Sequence, residues 1–500
     1  MADTSHPPIA AGNLLTEPVF CVRVGAGTQQ QTLPGVLHAL ATADVEAFTG
    51  LRRHQRQAWH SFLVQVGVIA AEQQGWSGAQ ALAVDEDGWQ AALRALTAGR
   101  DEPWTLVVPD LAQPAFLQPP VPEASLSDWS AVVTADGVDL LVTAKKHDVK
   151  GATVLAAAPA QWAWALLASQ TGDGYGGRDL HGIARMNGGL GNRPSISHAP
   201  RAPWSQRFRR DVATLVAQLG AMRNLGPASG DRALLWLSPW NGGSSEDVAS
   251  CHPLFVEVCR RIRLSGSLGR IQAWTRPTKA PRLDAKGLKG HVGDPWTPID
   301  KKEAKSLTLA KTGFSYDKVV DLLFSGSYEH GAAFAWRKGD EGILLQAMTR
   351  GQGKTEGLHE RWLAVPPRVL SQRGDERARQ KLDQLAQERA QDAGAVWKPL
   401  RQAVQLLQQG APPKPDWQSK AADPWRVRLN RRIDEAFFPR LWAAAEAEPT
   451  HAQEAWRGWL LGQARAVLDE AIAATPLPGV RRYRAIAAAE ARLTTWPKGK

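Results

Sequence analysis

Two glycine-bearing strings and one His-Glu pair are the residues here whose types and spacing could do chemistry. Gly351-Gln-Gly-Lys-Thr355 ends like a phosphate-binding loop, whose backbone N–H groups wrap phosphates while its lysine reaches the outer ones. That loop needs a glycine five residues before Gly353, and the position holds Met348. No clean buried strand leads in and no helix leads out, so ATP binding is not expected. His359 and Glu360 adjoin, but neighbours on one element usually point apart, and an ordinary surface pair is the expectation. The second string, 172–191, packs eight glycines around Tyr175, Arg178, His181 and Arg185. Glycine admits positive φ and lets a ligand or another backbone come close. As a dinucleotide fingerprint it fails twice on the third glycine, at Asp179 and at Pro194.

The rest of the composition narrows the choice. A formal charge of +11 over 500 residues favours a polyanionic partner. The twelve histidines are dispersed, and Cys21, Cys251 and Cys259 form no Cys-x-x-Cys pair, so neither a metal nor a disulfide framework is expected, and no cofactor. Reduced thiols, Asp3 and prolines where a leader would be basic, and the lack of any run of about 18 apolar residues point to a cytoplasmic protein. Most of the 21 tryptophans fall at apolar helical positions, but Trp204 stands among Arg201, Arg207, Arg209 and Arg210 as a base-stacking candidate.

The elements that must position these residues read as a mixed α+β chain. A strand is expected over 13–24, and helices over 35–41, 56–73, around Trp89 to Leu96, from Pro159 to Gln170, over 211–223 and over 253–262. A buried strand is expected at 234–240, a basic extended segment at 270–311, and short strands at 331–345 that the string 349–361 interrupts. Beyond Pro366, four long Ala/Leu/Arg/Gln-rich patterns, 375–409, 425–446, 451–473 and 480–496, are joined by proline-bearing loops and suit a four-helix bundle. Two domains follow, 1–366 and 367–500. Trp425, Leu429, Ile433 and Phe437 recur every fourth residue as a buried stripe, with Arg428, Arg431 and Arg432 off it.

Four basic, glycine-bearing loops remain: 145–150, 172–191, 270–289 and 350–354. Such loops on a rigid scaffold suit a protein that grips a duplex and holds its strands. The competing readings are a nuclease or ATPase built on Lys354, Thr355, His359 and Glu360, and a generic single-strand binder.

Four stretches in this order resemble the large subunit of the type I-E CRISPR surveillance complex Cascade, the CasA family: Asn13-Leu-Leu-Thr-Glu-Pro-Val-Phe-Cys-Val-Arg23, Pro114-Ala-Phe-Leu-Gln118, Gly174-Tyr-Gly-Gly177 after an alanine-rich helix, and Gly353-Lys-Thr-Glu-Gly-Leu-His-Glu-Arg361 before the C-terminal helices. The resemblance spans nearly the whole chain. It implies a non-catalytic subunit that detects the protospacer-adjacent motif in double-stranded target DNA, helps the guide crRNA open the duplex into an R-loop with a displaced single strand, joins the other Cascade subunits, and recruits a helicase-nuclease. It further implies that Gly174, Tyr175, Gly176 and Gly177, with Arg178 beside them, form a glycine loop at the minor groove, where the degenerate base pattern supports only a short, tolerant signal. A wedge would be Gln352, or Lys354 by a gap-free match; a lysine finger would be Lys279, Lys286 or Lys289; and Lys145, Lys146 and Lys150 would lie near DNA and the guide end. The paired cysteines that some members carry have no counterpart here.

Overall fold

The computed structural model describes residues 11–140, 157–187, 193–201, 204–351, 354–371, 375–445 and 449–496. Helices and strands are mixed, and they gather into two compact units, Met1–Gly313 with Glu329–Ala364, and Phe314–Tyr328 with Val365–Lys500. Among the described residues, no helix is long and apolar enough to cross a membrane.

The first unit forms around the helix Arg56–Gln74. Trp59, Phe62, Leu63, Val66, Val68 and Ile69 are buried along it, and Gly75 ends it at φ 66°, a left-handed cap that costs glycine no Cβ clash. Its polar residues His60, Ser61 and Gln65 are buried too, and Gln65 and His60 both find partners. Gln65 Nε2 donates to the carbonyls of Leu254 (3.0 Å) and Phe255 (2.8 Å), and His60 Nε2 donates to Asp211 (2.8 Å). Pro159, whose fixed φ suits a first turn, opens the helix Pro159–Gly172, which is buried at every position from Trp162 to Gly172. Strands make small sheets of two or three.

Several elements differ from the sequence reading. The span 13–24 is not one strand: Ala11–Asn13 and Phe20–Val24 belong to separate sheets. The basic stretch before 211 is the first turns of one long helix, Trp204–Leu225. There Trp204 meets Phe48 edge-on at 5.0 Å and lies 6.2 Å from His60, so it packs inward instead of offering a face to bases. Residues 253–262 are not helical. Cys251–Val256 is a strand buried at every position that pairs in parallel with Arg232–Leu234, and Arg261 opens the next strand. A short, continuous apolar run does not distinguish a helix from a strand buried on both faces. The expected strand at 234–240 is a strand only to Leu234 and then turns as a 3-10 helix over Leu235–Leu237. Within the expected extended segment, Arg270–Arg276 pairs residue for residue with Arg261–Ser267. The string 349–361 does not interrupt: Gly342–Gly351 and Lys354–Ala364 form one long antiparallel hairpin.

In the second unit the pattern 375–409 is two helices, Glu376–Ala395 and Trp397–Gln409. Pro399 explains the break, because in one continuous helix its ring would strike the carbonyl four residues back, that of Ala395. The short helix Tyr316–Phe324 joins these helices, the Tyr316 ring stacking on Phe437 at 5.0 Å. The stripe Trp425, Leu429, Ile433 and Phe437 is buried. Two of the off-stripe arginines share one acid: Arg428 and Arg432 reach Glu470 at 2.7 and 2.5 Å.

Burial, and then Arg207, push the His60 imidazole down to about 4. Burial opposes ionisation of Asp211 as well, but His60 and Arg210 outweigh it and hold the carboxyl far below its usual range. Because His60 binds its proton more weakly folded than unfolded, the folded state holds fewer protons between about pH 6.5 and 4. Stability is therefore full above pH 6.5 and declines as pH falls toward 4, by on the order of 3 kcal/mol from this group. Urea midpoints read by tryptophan fluorescence should drop across that window, and less steeply for His60→Gln; a flat wild-type profile would contradict the assignment.

Candidate nucleic-acid interface

The glycine string leaves the buried helix Pro159–Gly172 and returns on itself as a tongue, 173–183. Its base closes by the Ile183 N–H on the Asp173 carbonyl (2.9 Å), and its tip by Gly176 N–H on Leu180 O (2.9 Å) and Leu180 N–H on Gly177 O (3.1 Å). Two glycines make this possible in different ways. A Cβ on Gly182 would lie 2.4 Å from the Gly174 carbonyl carbon, so only glycine lets the two arms touch. Gly177 has open space around it but sits at φ +132°, which side chains of ordinary chirality rarely adopt. At the tip the Arg178 side chain is 96% exposed and Tyr175 42%.

Behind the tongue, a buried charge cluster seats the following residues. The Ala184 N–H donates to Glu257 (2.6 Å), and the Arg185 guanidinium lies 3.6 Å from Glu257, 3.3 Å from Asp294 and 3.6 Å above the Phe255 ring. Arg193 pairs with the same Asp294. Burial pushes Glu257 up to about 7 against the pull of Arg185, and pushes Arg185 down to about 10. Burial alone would raise Asp294, but Arg193 and Arg185 hold it below the usual carboxylate range. Residues 188–192, the end of the glycine string, lie outside the described residues.

The three candidate lysines are all exposed, on different parts of this surface. Thr278, buried, donates its N–H to the Asp179 carbonyl at the tongue's tip (3.0 Å), and the next N–H, that of Lys279, binds Gly242 O (2.8 Å). Lys279 is thereby fixed beside the tip. Lys286 and Lys289 bracket a 3-10 turn further along, where Gly290 stands against Met186 and Asn187, behind the tongue. Lys145, Lys146 and Lys150 lie outside the described residues, as does Gln352. The Lys354 backbone pairs with Gly351 at the end of the long hairpin.

That hairpin bears on the phosphate-binding-loop reading. A phosphate-binding loop joins a strand to a helix, whereas Arg350 pairs with Thr355 and Gly351 with Lys354 across two antiparallel strands. His359 and Glu360 alternate along the second strand and face opposite sides. His359 Nε2 lies 3.1 Å from Thr349 Oγ1, while Glu360 accepts from Gln346 at 2.9 Å. Among the described residues no group of three His, Cys, Asp or Glu side chains is placed to hold a metal ion.

Sequence reasoning missed Gln170, Asp173 and Arg260, which fasten the tongue. Arg260 Nη2 donates to the Asp173 carboxylate (2.7 Å) and to Gly174 O (2.9 Å), and Nη1 to His181 O. The signal available was a charged residue inside the apolar run around Val258 and Cys259, since a charge there must be paired.

Gly182→Ala should force the arms apart, and trypsin should then cut after Arg178 about tenfold faster, as expected for a loss of ~1.4 kcal/mol in local closure. Cleavage of Gly182→Ala at the wild-type rate would show that the arms need no such contact.

No family model and no curated protein sequence matches the chain. Solved structures do. Over 97% of its length the chain is similar to CasA of Thermus thermophilus, with TM-score 0.64, 16% identity and 98% of that chain covered. It is also similar over 97% of its length to Cse1 of Thermobifida fusca (TM-score 0.63, 13% identity, 98% of that chain) and to a chain of a CRISPR RNA-guided surveillance complex (0.61, 14%, 100%). Similarity across both units at such identities is a likeness of architecture, and by it the chain has the Cse1/CasA fold.

Proposed function

We propose that this chain is the large subunit of a Cascade-type, RNA-guided surveillance complex and that it recognises a short motif in double-stranded DNA. The observation that carries the reading is the tongue: an open backbone at Gly177 with Lys279 tied beside it, on a Cse1/CasA scaffold. Backbone without a side chain fits against a minor groove, and an ammonium on a long stem reaches its acceptors or a phosphate. That pair discriminates few base patterns, which suits a short, tolerant motif, with sequence reading left to the guide. In this role the chain has no catalytic centre of its own. The guide RNA, the target duplex and its displaced strand, the other subunits and a recruited helicase-nuclease are its partners. Lys279 is the finger, because Thr278 ties its backbone to Asp179 at the tip, whereas the turn of Lys286 and Lys289 packs through Gly290 against Met186 and Asn187. Gln352, with Lys354 as its neighbour, is the wedge.

Gly177→Asp brings bulk and negative charge to the tip, and should weaken binding of motif-bearing duplex by the assembled complex at least tenfold, about 1.4 kcal/mol, in gel shifts at fixed salt. Lys279→Ala should weaken it too and reduce the salt slope by about one, as for one lost phosphate contact, while Lys286→Ala and Lys289→Ala do less. Equal binding by Gly177→Asp and wild type would sink the reading.

A further inference from the structure

Arg260 stands where three elements meet. Its guanidinium takes acceptors from both arms of the tongue: the Asp173 carboxylate (2.7 Å from Nη2, 3.3 Å from Nε), the Gly174 carbonyl (2.9 Å) and, across the fold-back, the His181 carbonyl. Its own main chain is clasped by Gln170, which accepts from the Arg260 N–H (2.8 Å) and donates to its carbonyl (3.0 Å) as well as to Leu117 O (3.0 Å). Both charged side chains are largely covered, Arg260 at 13% exposure and Asp173 at 15%.

The next residue, Arg261, begins the strand Arg261–Ser267, and opposite it stands Arg276, the last residue of the returning strand. Two residues later Thr278 donates to Asp179 at the tongue's tip. A closed circuit results: tongue, Arg260, hairpin, Thr278, tongue. We infer that Arg260 is the positioning residue that keys the tongue to the hairpin carrying Lys279, so that Gly177 and Lys279 present one fixed reading surface. The inference rests on the reading above that this surface meets DNA.

The chemistry calls for arginine in particular. A planar fork with five donors serves two carbonyls and a carboxylate at once, whereas a lysine ammonium is a point charge that cannot span both arms. Asp173 neutralises the fork, so its cost of burial is met within the joint. By occupying the carbonyls of Gly174 and His181, Arg260 satisfies the backbone of both arms from the inner side and holds them together beneath the tip.

The test compares wild type, Arg260→Gln, Arg260→Lys and the near-isosteric Asp173→Asn. Each is assembled with guide RNA and the other subunits and titrated with motif-bearing and motif-scrambled duplexes at fixed salt. Arg260→Gln should lower the ratio of the two affinities about tenfold while binding to the scrambled duplex and assembly stay unchanged. Asp173→Asn should move the ratio the same way by less, and Arg260→Lys, which keeps the charge but not the fork, should fail to restore it. On the purified chain, amide exchange at Gly176 and Leu180 should quicken in Arg260→Gln. A wild-type ratio in both Arg260→Gln and Asp173→Asn, or unchanged exchange at those amides, overturns the keying role. A wild-type complex that does not distinguish the duplexes overturns the proposed function instead, and exchange then still reports whether Arg260 holds the tongue. If Arg260→Gln does not fold, Asp173→Asn decides the matter.

Discussion

The first unit depends on one fully buried carboxylate. Asp211 accepts from His60 on the central helix (2.8 Å), from its neighbour Arg210 (2.7 Å) and from the Trp296 indole (3.3 Å). Arg210 in turn reaches Asp340 at 3.0 Å and the Ala333 carbonyl at 2.6 Å, just before the long hairpin begins. A charge out of water is tolerated only while every lone pair is used, so these four segments have one mutual arrangement in which the carboxylate is satisfied. Apolar packing supplies most of the cohesion, but it is indifferent to small slides. The Asp211 cluster is not, and it sets the frame on which the tongue and the hairpins stand.

The same device recurs around Arg185, Glu257 and Asp294, and again at Arg260. In this protein many arginines that a charge count assigns to a solvated, polyanion-facing surface are internal struts: Arg185, Arg263 and Arg282 are among its most deeply buried large side chains. Because arginines such as Arg185 and Arg260 are buried together with acids, the net charge of +11 is unaffected, but the count of basic residues overstates how many face a partner, and the exposed lysines carry more of the outward field than their number suggests.

What the sequence made legible follows from how local the cause is. The helix Arg56–Gln74 and its Gly75 cap, the helix opened by Pro159 and the four-spaced stripe of Trp425 to Phe437 are set by nearest neighbours, and they read correctly. Cys251–Val256 did not, because a doubly buried strand has no period, and the long hairpin did not, because its pairing is a long-range fact. At the candidate site the glycine string was visible as a departure from the chain's composition. The place of Lys279 was not, since the Thr278 backbone next to it lies beside Asp179, about a hundred residues away in sequence. Arg260 was hidden for the same reason, since it lies 87 positions along the chain from Asp173.

Gly177 is surrounded by open space, so nothing there excludes a side chain by size. What the position selects is handedness. At φ +132° the mirror-image residue is at ease and the natural one is not, so the chain's stereochemistry keeps that surface bare. Glycine is the one genetically encoded answer to such a constraint, so as long as the Gly176–Leu180 closure holds that backbone in place, chirality and not crowding keeps the tip smooth.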